Sequence, residues 1–109
     1  MNVDELILNT LSTLAPTYYG WYSEDYEETH IVFLEINDNE DLFGDDEAGV
    51  IEHLYQVSIF SKINCNQLKK DIKKALKDVG FYYQDGSDQH EIETQLYHKA
   101  TRWIYNEYL

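Results

Sequence analysis

Four histidines, one cysteine and a dense run of carboxylates are the residues of this 109-residue chain whose types could do chemistry. Metal-assisted hydrolysis usually draws two histidines from one helix face, four residues apart, with a carboxylate as base. His30, His53, His90 and His98 offer no such pair. Asp85, Asp88 and His90 are near enough in sequence to gather round a cation, yet Asp-Gly at that point is also what a turn is made of. Aligning Asn39, Asp41, Gly44 and Asp45 on a calcium-binding loop puts Phe43 at a ligand position and Val50 where a bidentate glutamate belongs. That rejects the helix-loop-helix calcium motif and leaves only a looser divalent site, which would relieve repulsion among crowded carboxylates. Cys65 stands alone, so it can neither close an internal disulfide nor hold zinc by itself, and it reads as a small packed residue beside a helix start. Ser12, Ser23, Ser58, Ser61 and Ser87 lie in no nucleophile elbow, and the five glycines make neither a phosphate loop nor a dinucleotide fingerprint. The expectation is a protein that is not an enzyme and carries no catalytic, metal or cofactor residues.

The elements that would position these groups follow from apolar spacing. Val3, Leu6, Ile7, Leu11 and Leu14 recur at helical steps, with Asp4 and Glu5 at the positive end of the helix dipole and Ala15-Pro16 as a stop. Thr17 to Tyr22 reads as a short edge segment broken by Gly20, and Ser23 to Glu28 as an acidic turn. Thr29 to Ile36 is almost continuously apolar, as in a strand buried on both faces. Asn37 to Gly49 changes to Asn, Asp, Glu and Gly and reads as a long loop. Val50 to Phe60 alternates as a strand, with Leu54, Gln56, Ser58 and Phe60 on one side and His53, Tyr55, Val57 and Ile59 on the other; it should pair back on the preceding strand. Asn64 or Asn66 would cap a second helix with the stripe Leu68, Ile72, Ala75, Leu76 and Val79, its lysines outward and Gly80 as its stop. Phe81 to Gln84 reads as a short strand, Asp85-Gly86 as a hairpin turn with a loop running to Gln89, and Glu91 to Tyr105 as a closing strand. The order implies one small α+β domain: a mainly antiparallel sheet of four to five strands with two helices packed on it.

Charge is segregated along the chain. Residues 1–61 hold fourteen Asp and Glu and no Lys or Arg, while residues 62–109 hold seven acids and eight bases; the formal net charge is -13. A surface of this sign repels phosphate and anionic lipid, so tight nucleic-acid or membrane binding is not expected. The longest apolar stretches, Ile31 to Leu34 and Val57 to Phe60, fall far short of the roughly 20 residues that span a bilayer. With Lys62 as the first basic residue, no secretory leader is expected. Lys69, Lys70, Lys73 and Lys77 would instead offer a docking face for an acidic surface, including that of another copy of the chain: Asp38, Glu40, Asp41, Leu42, Phe43, Asp45, Asp46 and Glu47. Complementary surfaces on one chain join head to tail and close into rings when the rotation permits. Ten tyrosines and two tryptophans suit protein interfaces.

The strand Tyr55-Gln56-Val57-Ser58-Ile59-Phe60-Ser61-Lys62, the helix with Leu68, Ile72 and Leu76, the Gly80-Phe81 stop, and the closing Leu96-Tyr97-His98-Lys99 with Arg102-Trp103 and Tyr105 carry a resemblance. The chain resembles the tail-terminator or tail-completion proteins of long-tailed bacteriophages and prophages, most clearly over its second half. That resemblance implies a non-enzymatic α+β subunit of the virion, made in the host cytoplasm and assembled as a homo-oligomeric ring, commonly a hexamer, between the tail tube and the head connector. It also implies that the loop between the paired strands, Asp38 to Gly49 here, makes contacts. An acidic lumen would let DNA pass without adhering, since it offers phosphates no cation. The alternative is a small acidic inhibitor that mimics DNA and occupies the basic cleft of a host protein.

Overall fold

The computed structural model describes residues 2–20, 28–42, 49–92 and 95–109, with only the backbone of 41, 42 and 91. The expected acidic turn over 23–28 therefore lies, apart from Glu28, outside the described residues. The element order is α1 (Val3–Leu11), β1 (Thr17–Tyr19), β2 (His30–Leu42), β3 (Gly49–Ser61), α2 (Asn66–Asp78), β4 (Tyr82–Glu91) and β5 (Leu96–Tyr108). The five strands form one sheet in the order β1-β2-β3-β5-β4, antiparallel except for β1 beside β2. This is an α+β fold with both helices on one face. No helix among the described residues is long and apolar enough to cross a membrane.

Each helix is set by its own punctuation. Asn2 caps α1, its Oδ1 accepting from Glu5 N at 2.8 Å. The helix ends at Leu11 rather than running on to Leu14, because Ser12 takes over as the C-terminal cap. The expected side-chain cap of α2 is corrected: Cys65 holds the cap position without a side-chain bond, and Asn64 Oδ1 accepts from Asn66 N at 2.9 Å. At the other end Gly80 N donates to Lys77 O and Phe81 N to Leu76 O, the paired bonds of a Schellman stop. Gly80 makes it feasible with φ +101°, which a side chain would strain.

Val3, Ile7 and Leu11 of α1 and Ile72 and Leu76 of α2 bury against Ile31, Phe33, Tyr55, Val57, Ile59, Phe81 and Trp103 of the sheet side. The alternation expected for β3 is the one observed. Tyr55, Val57 and Ile59 enter this core, while Ser58 and Phe60 are buried on the opposite face with Val32 and His30.

Two expected loops are strand instead, and both sit at bulges. Asn37 to Gly49 is not one long loop, because β2 continues through Leu42 and β3 begins at Gly49, leaving only 43–48 between them. Asn, Asp and Glu are poor strand formers alone, but here they pair with β3 residues Val50, Ile51 and Leu54, which β5 supports from the other side. Likewise Asp85-Gly86 is not a hairpin turn. β4 runs through it to Glu91, with a register shift between Tyr83 and Asp85 that sets Asp85 opposite Arg102 and Gly86 opposite Thr101.

Gly86 is required there by space. A Cβ would lie 2.5 Å from Tyr83 Oη and 3.1 Å from Ala100 O. The Tyr83 ring is held in place, packed 5.2 Å from Trp103 and under Lys73 at 4.1 Å. Gly86→Ala is expected to destabilise the fold by about 1–3 kcal/mol through overpacking, read as a lower urea midpoint at unchanged slope.

Strand length produces the shape. Thirteen-residue strands reach about 43 Å, whereas the 13-residue α2 covers about 20 Å. The sheet therefore overruns its helical layer, giving extents of 55 × 24 × 22 Å. The overhang, here called the arm, comprises β2 beyond Ile36, β3 up to Leu54 and the end of β5.

Candidate interaction surfaces

The arm begins at the β2 bulge. Glu35 pairs with Tyr55, Ile36 is the extra residue, and Asn37 then pairs with Leu54. The extra residue exchanges the two faces: Asp38 now lies opposite His53 and Glu40 opposite Ile51, on the side of the sheet that the helices occupy farther down. Asp38 and Glu40 are exposed there. Asp41 and Leu42, expected in a loop, belong to the strand and pair with Val50 and Gly49. Phe43, Asp45, Asp46 and Glu47 lie outside the described residues.

At the foot of the arm a hydrogen-bonded chain joins four elements. Tyr55 Oη donates to Asp4 at 2.5 Å and lies 3.2 Å from Glu35 Oε2. Glu35 Oε1 is 2.9 Å from His53 Nδ1, and His53 Nε2 is 3.0 Å from Glu107 Oε1. Burial and the Asp4 carboxylate push the Tyr55 hydroxyl far above its ordinary range, so it remains a donor. Burial opposes charging His53, but its hydrogen bonds to Glu35 and Glu107 outweigh that and raise its pKa above 6.5. With both ring nitrogens occupied, His53 presents no lone pair to a substrate and serves as a tie. Sequence reasoning missed this group. Glu35 and His53 are 18 residues apart and His53 and Glu107 are 54 apart, so no spacing rule links them. The one available signal was strand register, and the bulge concealed it.

The lysine face is smaller than its sequence suggests. Lys69 and Lys99 both bind Asp88 at 3.0 Å, which holds the Asp88 carboxyl below its usual range. Lys73 lies over the Tyr83 ring, and Lys74 pairs with Asp78 at 2.8 Å. Of the four lysines expected to dock a partner, Lys69 and Lys73 are thus engaged in fastening α2 to β4. Lys70 and Lys77 are exposed and form no ion pair among the described residues. With Lys74 they follow one side of α2 at helical spacing and line a shallow depression with Lys73 and Asp78.

The other chemical candidates are accounted for. Cys65 is 4% exposed, and burial pushes its thiol up, away from the nucleophilic thiolate. Asp85 lies 3.8 Å from Arg102, Asp88 holds its lysines, and the His90 ring stacks on Tyr97 at 4.4 Å, so these three do not converge. Among the described residues no three His, Cys, Asp or Glu side chains are grouped to hold a metal ion.

Against solved structures, the chain is similar to one in the virion of a native gene transfer agent (GTA) particle, with a TM-score of 0.54 and 10% sequence identity. The match covers 95% of this chain and 85% of that one. The likeness is one of fold. No protein-family model and no curated protein matches the sequence.

Proposed function

We propose that the chain is a structural subunit of a phage-like virion and, more finely, a tail-terminator or tail-completion protein that closes into a ring, with six copies as the expected number. The fold likeness to a GTA virion chain over nearly the whole length supports the virion reading, and the finer reading rests on the resemblance carried by the second half of the sequence. The two charged surfaces supply a mode of assembly. The acidic arm, with Asp38 and Glu40, seats on Lys70, Lys74 and Lys77 of the next copy, a heterologous contact of the kind that closes rings. In this reading the protein is not an enzyme and takes no cofactor. Its partners are further copies of itself, the tail tube and the head connector, and it works in the virion after assembly in the host cytoplasm. DNA passes an acidic lumen without sticking.

Net charge sets the conditions. At low salt, copies of charge -13 repel over long range, whereas at about 0.15 M salt the screening length falls to about 8 Å and contact pairs at 3–4 Å still attract. Light scattering on the purified chain is therefore expected to show a shift from the 12.9 kDa monomer toward a ring of six as salt is raised to physiological strength, with magnesium promoting it. A chain that stays monomeric throughout, fails to cap tail tubes, and binds a basic DNA-binding protein tightly would instead be the DNA mimic.

A further inference from the structure

Among the described residues of the arm His53 is the only basic side chain, beside Asp38, Glu40, Glu52 and Glu107. Both of its ring nitrogens meet carboxylate oxygens at hydrogen-bond length, Nδ1 with Glu35 and Nε2 with Glu107. A neutral imidazole has one N–H and can donate to one of them only; its other nitrogen would aim a lone pair at an oxygen. Two such contacts require one proton more than a neutral imidazole and two carboxylates hold together. With that proton the three groups carry one net negative charge, and without it two.

We propose that this shared proton is a fastener for the arm: it ties the β2 bulge and the end of β5 to β3, and its release loosens the overhang while the helix-covered half of the sheet stays in place. The bonds span three strands at the point where the helical layer ends. Among the described residues, every titratable group that faces His53 is an acid or a phenol. Glu35 and the register partner Asp38 come from β2, Tyr55 from β3, and Glu107 and the register partner Tyr105 from β5; Asp4 of α1 is reached through the Tyr55 hydroxyl. The inference concerns the arm itself and stands whether or not the arm docks on a neighbour.

The direction follows from linkage. A histidine whose folded-state pKa is raised above 6.5 contributes its full fastening below pH 6.5, and the contribution is lost as pH rises through the folded-state value. The test is amide hydrogen exchange of the full chain between pH 6 and pH 9, corrected for intrinsic rates, alongside NMR titration of the His53 ring. Above pH 6.5 the opening equilibrium of amides in 50–54 and 104–108 should rise about tenfold per pH unit until His53 has titrated, while Ile31, Phe33, Val57 and Ile59 keep their protection. His53→Gln should remove this pH dependence, which separates it from the titration of His30, His90 and His98. Glu107→Gln should lower the His53 midpoint. A His53 midpoint at or below the ordinary value, or arm protection that stays flat while His53 titrates, would overturn the proposal.

Discussion

Lys70→Glu with Lys77→Glu abolishes self-assembly, Asp38→Lys with Glu40→Lys does the same, and mixing the two variants restores the ring: this is the expected result of the largest effect on the proposed contact. The first variant has an acidic arm facing an acidic helix. The second has a basic arm facing a helix that keeps all its lysines. Exposed opposite-charge pairs are worth about 0.2–1 kcal/mol each, while like charges placed face to face at an interface cost several kcal/mol. Two reversals are thus expected to weaken each contact by about a hundredfold or more, and the defect recurs at every interface of the ring. In the mixture each arm meets a helix of opposite sign only if the two variants alternate. An alternating ring closes with an even number of copies, so six is compatible and an odd-numbered ring is not. Sedimentation velocity on each variant and on the equimolar mixture reads this directly. Assembly of either variant alone at the wild-type level, or no assembly on mixing, would show that these surfaces do not meet. All four positions are exposed, so the substitutions leave the core intact; unchanged urea midpoints check that.

What the sequence discloses here is whatever one element determines by itself. The stripe Leu68, Ile72, Ala75, Leu76 and Val79 needs only helical periodicity, and Gly80 stops the helix through its own φ. The alternation in β3 is plain because it is a central strand, in regular register with both neighbours from Tyr55 to Phe60, its large apolar Tyr55, Val57 and Ile59 meeting the helices on one face. The outer half of β2 and the Asp85-Gly86 stretch of β4 are illegible for the converse reason. Their residues are those of turns, and they are strands because long neighbours supply the hydrogen bonds. Bulges then shift the register, so even a correct strand assignment would place Asp38 and Asp88 on the wrong face. The same shift hides the Glu35–His53–Glu107 tie and the seat of Asp88 between Lys69 and Lys99. Charge segregation along the chain was readable, yet the fraction of lysines left for a partner was not, because that depends on where β4 puts Asp88 and Tyr83.

The greatest loss of stability is expected on Trp103→Ala. Trp103 is fully buried on β5, opposite Tyr55 of β3 and Tyr83 of β4. Its Nε1 donates to Thr101 Oγ1 at 2.8 Å, and that hydroxyl donates in turn to Val57 O at 3.0 Å. Truncation to Ala opens a cavity in the middle of the core and should cost about 3–5 kcal/mol, a large share of the roughly 5–15 kcal/mol available to a domain of this size. Trp103→Phe separates volume from hydrogen bonding. It keeps most of the packing and leaves Thr101 still donating to Val57, so only about 1–2 kcal/mol should be lost. Thr101→Val is the complementary case. It preserves shape but leaves the buried indole N–H without its acceptor, a cost of about 1–3 kcal/mol. Urea unfolding of the three variants ranks the terms: if Phe costs as much as Ala, the relay rather than the packed volume holds β5 between β3 and β4. Either way the loss falls on the strand that also carries Glu107, so the arm should lose its hydrogen-exchange protection in Trp103→Ala before β2 and β3 part in the helix-covered half.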